Sequence, residues 1–201
     1  MSLDAFTAKP PLSHAPLIWH ALQRSSGLPV AEIRLDGALC LATIAIDEFE
    51  FEQRAASRLG AVTDRQLLSA LWNVAAGKEV DIECQNKLKQ SGFASGPTEH
   101  GVRNYAPIGS VQSLSFRGRQ SVKQAAEWPP TFERIAIVDS PTAAQVELAG
   151  NTGVGIAALM VAGDIHFAVT PQPPVVGSPG LFRWWIAELC FAALLKQEPK
   201  R

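Results

Sequence analysis

From Val111 to Pro171 the spacing of apolar residues switches repeatedly between the short period of a strand and the wider period of a helix. Val111–Phe116 reads as extended, Arg119–Trp128 as helical and Arg134–Val138 as extended again. Pro141–Ala149 is helical, and Val154–Val161 with Asp164–Thr170 makes a pair of strands. Strands that alternate with helices and close on a hairpin predict an α/β fold, a mixed central sheet flanked by helices.

Upstream, His14–Ser25 predicts a short helix carrying Leu17, Ile18 and Leu22 on one side. Ala31–Leu35 and Leu39–Ile46 flank Asp36-Gly37, two residues that tolerate positive φ and so predict a hairpin turn. Phe49–Leu59 is helical and Gly60 ends it. Thr63 and Gln66 have the spacing of a capping box, with Asp64 favouring the positive end of the helix they open; Gly77 stops that helix. Glu79–Cys84 alternates cleanly and predicts a strand, Val80, Ile82 and Cys84 on one face and Glu79, Asp81 and Glu83 on the other. Gln90–Pro107 reads as a long loop with one short strand at Val102–Tyr105. Ser140-Pro141 and Ser178-Pro179 are each a cap followed by a first-turn proline, the second launching a terminal helix, Gly180–Lys196. The expected organisation is an arm, helix and hairpin extension over residues 1–62 and an α/β core over residues 63–201 with a C-terminal apolar helix, together one compact domain.

Hydrophobic residues make up 47% of the chain and charged residues 18%, with a formal net charge of −1, so nucleic-acid binding through a wholly basic surface is excluded and only a local patch remains open to it. Cys40, Cys84 and Cys190 lack any CxxC spacing, which argues against a disulfide framework or a zinc site and reads as buried free thiols. The N-terminal residues contain no apolar run of the signal-peptide kind. Gly180–Leu195 is short and carries Arg183 and Glu188, which argues against a membrane span. A cytoplasmic protein without membrane contact is the expectation.

Glu79, Asp81 and Glu83 on one strand face would suit Mg²⁺ or a shared proton, with Lys87 as a neutralising partner; a solvated strand face is the plainer alternative. Arg117, Arg119 and Lys123 gather around a helix start and would suit a phosphate, although such a run also suits a solvated surface. His166 follows Asp164 by two residues, a carboxylate–imidazole pair or an ordinary turn and strand. His14, His20 and His100 stand alone, and no nucleophile elbow, phosphate loop or zincin motif occurs. The terminal helix is apolar nearly all round, so its Trp184, Trp185 and Phe191 are candidates for a homodimer interface as well as for the core.

Four segments carry a resemblance: Val111-Gln112-Ser113-Leu114, Val122-Lys123-Gln124-Ala125, Phe132-Glu133-Arg134-Ile135-Ala136-Ile137-Val138, and Gly153-Val154-Gly155-Ile156-Ala157-Ala158-Leu159. In order and type they resemble the back half of the PD-(D/E)xK nuclease-like family, and the resemblance extends over roughly residues 60–170. It implies a restriction-endonuclease-like core, with an E-x-K strand that binds Mg²⁺ and positions water. Counting back from Gln124 puts Gln112 at the family's Glu and Leu114 at its Lys, and neither can do that chemistry; Asn104 is the nearest counterpart of the upstream Asp. The resemblance therefore implies a degenerate site with no cofactor and points away from an enzyme. The expected function is a non-catalytic module that binds a nucleic-acid or protein partner through Arg117, Arg119, Lys123 and Gln112. The alternatives are a Mg²⁺-dependent nuclease using Asp81 and Glu83 as metal ligands with Lys87, and a structural or interaction protein with no nucleic-acid role.

Overall fold

The computed structural model describes residues 16–56, 61–75, 78–90, 108–160, 164–175 and 180–197. Chain order is α1 (Pro16–Ser26), β1 (Val30–Leu35), β2 (Ala38–Ile46), α2 (Glu48–Ala56), α3 (Arg65–Ala75), α4 (Ile82–Gln90), β3 (Gly109–Arg117), α5 (Ser121–Glu127), β4 (Glu133–Ile137), α6 (Ala143–Thr152), β5 (Gly155–Leu159), β6 (Ile165–Val169) and α7 (Gly180–Gln197). Asp36 at φ 47° and Gly37 at φ 84° make the tight β1–β2 turn, as the Asp-Gly pair requires.

The strands form one six-stranded sheet in sequence order. β1 through β3 are antiparallel, β3–β4–β5 parallel, and β6 returns antiparallel beside β5. The β1–β2 hairpin is thus two strands of the central sheet and not an extension beside it, because β2 hydrogen-bonds directly to β3. Each parallel step needs a crossover; α5 and α6 supply them, and successive right-handed crossovers moving the same way lay both helices on one face.

That face carries the main core. Ala31, Ile33, Leu35, Cys40, Ala42, Ile44, Leu114 and Phe116 of the sheet meet Trp184, Ile186 and Phe191 of α7 and Val122 of α5. The opposite face is covered by α1, whose Ile18, Trp19 and Leu22 pack on Val30, Leu41, Ile135, Ile137 and Ala157. Trp19 also donates its indole N–H to the Val30 carbonyl at 3.1 Å. A bulge interrupts β3: Thr43 lies opposite Ser113 and Ile44 opposite Val111, which leaves Gln112 extra. The added residue flips the side-chain alternation, so Val111 joins the core that Leu114 and Phe116 face.

Three helix starts differ from the sequence expectation. α3 is capped by Asp64, whose carboxylate accepts from the N–H groups of Gln66 (2.7 Å) and Leu67 (3.0 Å), and not by Thr63. α6 is capped by Thr142 in a reciprocal box with Gln145, two residues past Ser140. The Glu79–Cys84 segment is not a strand; Asp81 caps α4 by accepting from the Cys84 N–H at 2.8 Å. Its helical period shows in burial, with Leu88 inside, Cys84 and Gln85 half-buried, and Ile82 and Glu83 exposed. The expected strand at Val102–Tyr105, the Ser178-Pro179 start and the glycine stops at Gly60 and Gly77 lie outside the described residues.

Candidate functional site

The register fixes which surface side chains are neighbours. Arg34 of β1 lies opposite Leu39 of β2. Cys40 lies opposite Phe116, so one step further sets Leu39 beside Arg117 of β3, and Arg117 lies opposite Ile137 of β4. This row continues into the core under α1, where Ile137 and Ala157 are buried, but at β1–β3 it is uncovered: Arg34 and Arg117 are exposed and Leu39 is 37% exposed between them. Strands are spaced just under 5 Å, so the two arginine backbones stand about 10 Å apart with an apolar side chain between them.

Past Arg117 the chain turns at Gly118, φ 112°, a conformation that side-chain-bearing residues rarely adopt. Arg119 follows, and its carbonyl accepts from Gln145 Nε2 at 3.1 Å, which ties the β3–α5 loop to the start of α6. Lys123 is exposed in the first turn of α5. The β1–β2 turn lies at this same end of the sheet, and there Asp36 meets Arg65 at 3.9 Å, both exposed. Arg65 itself stacks on the Trp185 ring with its guanidinium carbon 3.8 Å from the centroid. The acids around the row include Glu32, one pleat back on β1, Asp36 in the β1–β2 turn, and Asp139, two residues beyond the end of β4. The corner is a mixed but predominantly cationic surface at the carboxyl ends of β3 and β4.

Of the sequence candidates, Arg117, Arg119 and Lys123 are all exposed along the β3–α5 connection, Arg117 on the α1 face of the sheet and Lys123 on a helix that packs on the other face. Gln112 does not join them. It sits on the bulge, five residues or about 16 Å along β3, and donates from Nε2 to the Ser110 carbonyl at 3.1 Å. Leu114, the other position of the resemblance, is wholly buried in the main core, so the two do not share a cleft.

Glu79, Asp81 and Glu83 do not form the acidic strand face expected of them, because the chain is helical from Ile82. The Cys84 N–H hydrogen bond to Asp81 holds its carboxyl below the usual carboxylate range. Glu83 pairs with Lys87 at 3.3 Å, one turn along α4 and exposed. Among the described residues no group of three His, Cys, Asp or Glu side chains is arranged to hold a metal. His166 is exposed on β6, and Asp164 closes the β5–β6 hairpin by accepting from the Met160 N–H through its carbonyl at 2.8 Å.

Trp184, Trp185 and Phe191 are buried within the chain and are not surface anchors. Trp184 donates to Glu188 at 3.1 Å, Trp185 to the Thr63 carbonyl at 3.0 Å, and Phe191 meets Phe51 edge-on. Glu188 is fully buried and holds Arg54 by two parallel 2.7 Å hydrogen bonds, with a third from the Val62 N–H at 2.9 Å. The sequence reading missed this network, whose partners lie far apart in the chain. Burial raises the thiol pKa of Cys40 and Cys190, while Cys84 is only half-buried.

No helix among the described residues is long and apolar enough to cross a membrane. No protein-family model, no curated protein and no solved structure matches this chain.

Proposed function

We propose that this chain is a non-catalytic module that holds a nucleic-acid backbone across the corner where β3 runs into α5. The observation that carries the reading is the cross-strand row, which brings Arg34 from a distant part of the sequence alongside Arg117 on an exposed surface, with Arg119 just past the end of β3. Arginines whose backbones stand about 10 Å apart can reach phosphates of one strand with their long side chains, and exposed Leu39 between them offers an apolar contact to a sugar or base. Glu32, Asp36 and Asp139 limit affinity, and the arginine–phosphate contacts make the interaction sensitive to salt.

The strand–helix–strand–helix–hairpin order supports reading the sheet as restriction-endonuclease-like. Burial of Leu114 and the displacement of Gln112 onto a bulge support a version of that fold that binds without cleaving.

Fluorescence anisotropy with a labelled oligonucleotide, single- or double-stranded, tests this. Binding is expected at low salt, with the Arg34→Ala, Arg117→Ala, Arg119→Ala triple variant losing about 2 to 3 from the slope of log affinity against log salt. No cleavage of plasmid DNA is expected with Mg²⁺ or Mn²⁺. An absence of binding at low salt, or metal-dependent cleavage, overturns the proposal.

A further inference from the structure

The loop that carries Arg119, residues 118–120 between β3 and α5, has little of its own to hold its shape. Gly118, Arg119 and Gln120 are all exposed. Gln120 stands at the N-cap of α5, yet its side chain makes no capping hydrogen bond. Gly118 brings no side chain, and within the loop the Ser121 N–H donates to the Gly118 carbonyl at 3.1 Å. The tie from outside is the one to α6, where the Arg119 carbonyl accepts from Gln145 Nε2 at 3.1 Å.

The Gln145 amide divides its two ends between two tasks. Its Oε1 accepts from the Thr142 N–H at 2.9 Å and from the Thr142 hydroxyl at 3.2 Å, which closes the capping box of α6. The box needs only that oxygen, and a glutamate would supply it equally well. The Nε2 donor is surplus to the cap, and it reaches 26 residues back along the chain to Arg119. α6 is a firm post for this contact. Arg134, buried on β4, donates to the Thr152 carbonyl at the end of α6 and to the Trp128 carbonyl at the C-cap of α5, the latter at 2.9 Å. The two crossover helices are thus joined through Arg134 at their C-terminal ends, and through Gln145 where α6 begins and the chain enters α5.

We propose that Gln145 is a positioning residue for phosphate binding: it fixes the backbone at Arg119, so the loop is already ordered when a phosphate meets that guanidinium. This role rests on the nucleic-acid reading of the corner and adds to it a residue that acts through another. A loop held in place beforehand loses less conformational freedom on binding, so the same arginine–phosphate contact yields more affinity. The tether does not change how many cations meet phosphates. Gln145 therefore sets affinity at every salt concentration, whereas Arg119 sets its salt dependence.

Oligonucleotide affinity by fluorescence anisotropy over a salt series, for the full chain, Gln145→Ala, Arg119→Ala and the double variant, tests this. Gln145→Ala is expected to weaken binding about threefold or more, as the loss of one hydrogen bond does, with the salt slope unchanged. Arg119→Ala is expected to lower the slope by about 1, and in its background Gln145→Ala should cost nothing, because no arginine is left to position. A merely structural loss at α6 would cost the same with or without Arg119. Gln145→Glu keeps the cap and drops the donor, and it reads the tether without any ligand. By hydrogen exchange its Ser121 amide should exchange about threefold faster or more, while the Val146 amide, bonded to the Thr142 carbonyl at 3.0 Å, keeps its protection. Where Gln145→Ala fails to fold by circular dichroism, this exchange comparison decides. If the unmodified chain binds no oligonucleotide at low salt, the nucleic-acid reading falls and this role with it. If it binds, but Gln145→Ala costs nothing or costs the same in both backgrounds, or Ser121 exchange is unaltered in Gln145→Glu, the role of Gln145 alone is overturned.

Discussion

Asp64 and Asp81 each open a helix by turning a carboxylate onto backbone N–H groups that the helix cannot satisfy itself. Around Asp64 the sequence shows the capping-box spacing of Thr63 with Gln66, with Asp64 expected only to favour the positive end of the helix, and that spacing does not reveal which side chain takes the N–H groups. The structure favours Asp64, so Asp64→Ala is expected to cost about 1 kcal/mol in chemical denaturation while Thr63→Ala costs little. A larger loss at Thr63 would return the cap to that residue. At Asp81 the Cys84 N–H holds the carboxyl below its ordinary value, which makes the folded state prefer the ionised form. Its stabilising contribution is therefore present above the ordinary carboxylate range and is lost as pH falls through the lowered pKa. Stability measured for the unmodified chain and Asp81→Asn should differ at neutral pH and converge below about pH 4. A gap that stays constant into acid contradicts this.

Among the elements, α4 shows how a period can mislead. Val80, Ile82 and Cys84 alternate with acids and read as a strand, yet the Asp81 cap, the Glu83–Lys87 pair and buried Leu88 are the signals of a helix. A six-residue window holds too little of either period to decide, and the cap decides it. The strands from Val111 onward and both crossover helices were legible because several elements in series repeat one grammar. The bulge at Gln112 was not, because it depends on the register against β2. Nor was the joint between α2 and α7, where Arg54 and Glu188 meet in the core. Opposite charges at that separation in sequence carry no local signal. Removing one partner strands the other's charge in the interior, so Glu188→Gln is expected to cost about 3–5 kcal/mol by denaturant titration. The paired change Arg54→Met with Glu188→Leu should recover much of that loss. If Glu188→Gln is nearly neutral, the pair does not hold α2 to α7.

At the scale of the molecule, charge and apolar surface are divided between two places. Arg34, Arg65, Arg117, Arg119 and Lys123 lie where the β1–β2 turn and the β3–α5 loop share one end of the sheet, while β6 and α6 carry no lysine or arginine. A net charge of −1 hides this division. The Arg117, Arg119 and Lys123 part of the corner was visible in sequence because those residues are close together; Arg34 was not, because its neighbourhood depends on β2 pairing with both β1 and β3. Arg34 is for that reason the sharpest test of the account. The salt dependence of oligonucleotide affinity should be measured for the unmodified chain, Arg34→Ala, Arg117→Ala, the double variant and Lys196→Ala as a remote exposed control. The account predicts that Arg34→Ala and Arg117→Ala each lower the slope by about 1, that the double variant loses both, and that Lys196→Ala changes nothing. An Arg34→Ala curve that overlays the unmodified one would contradict it.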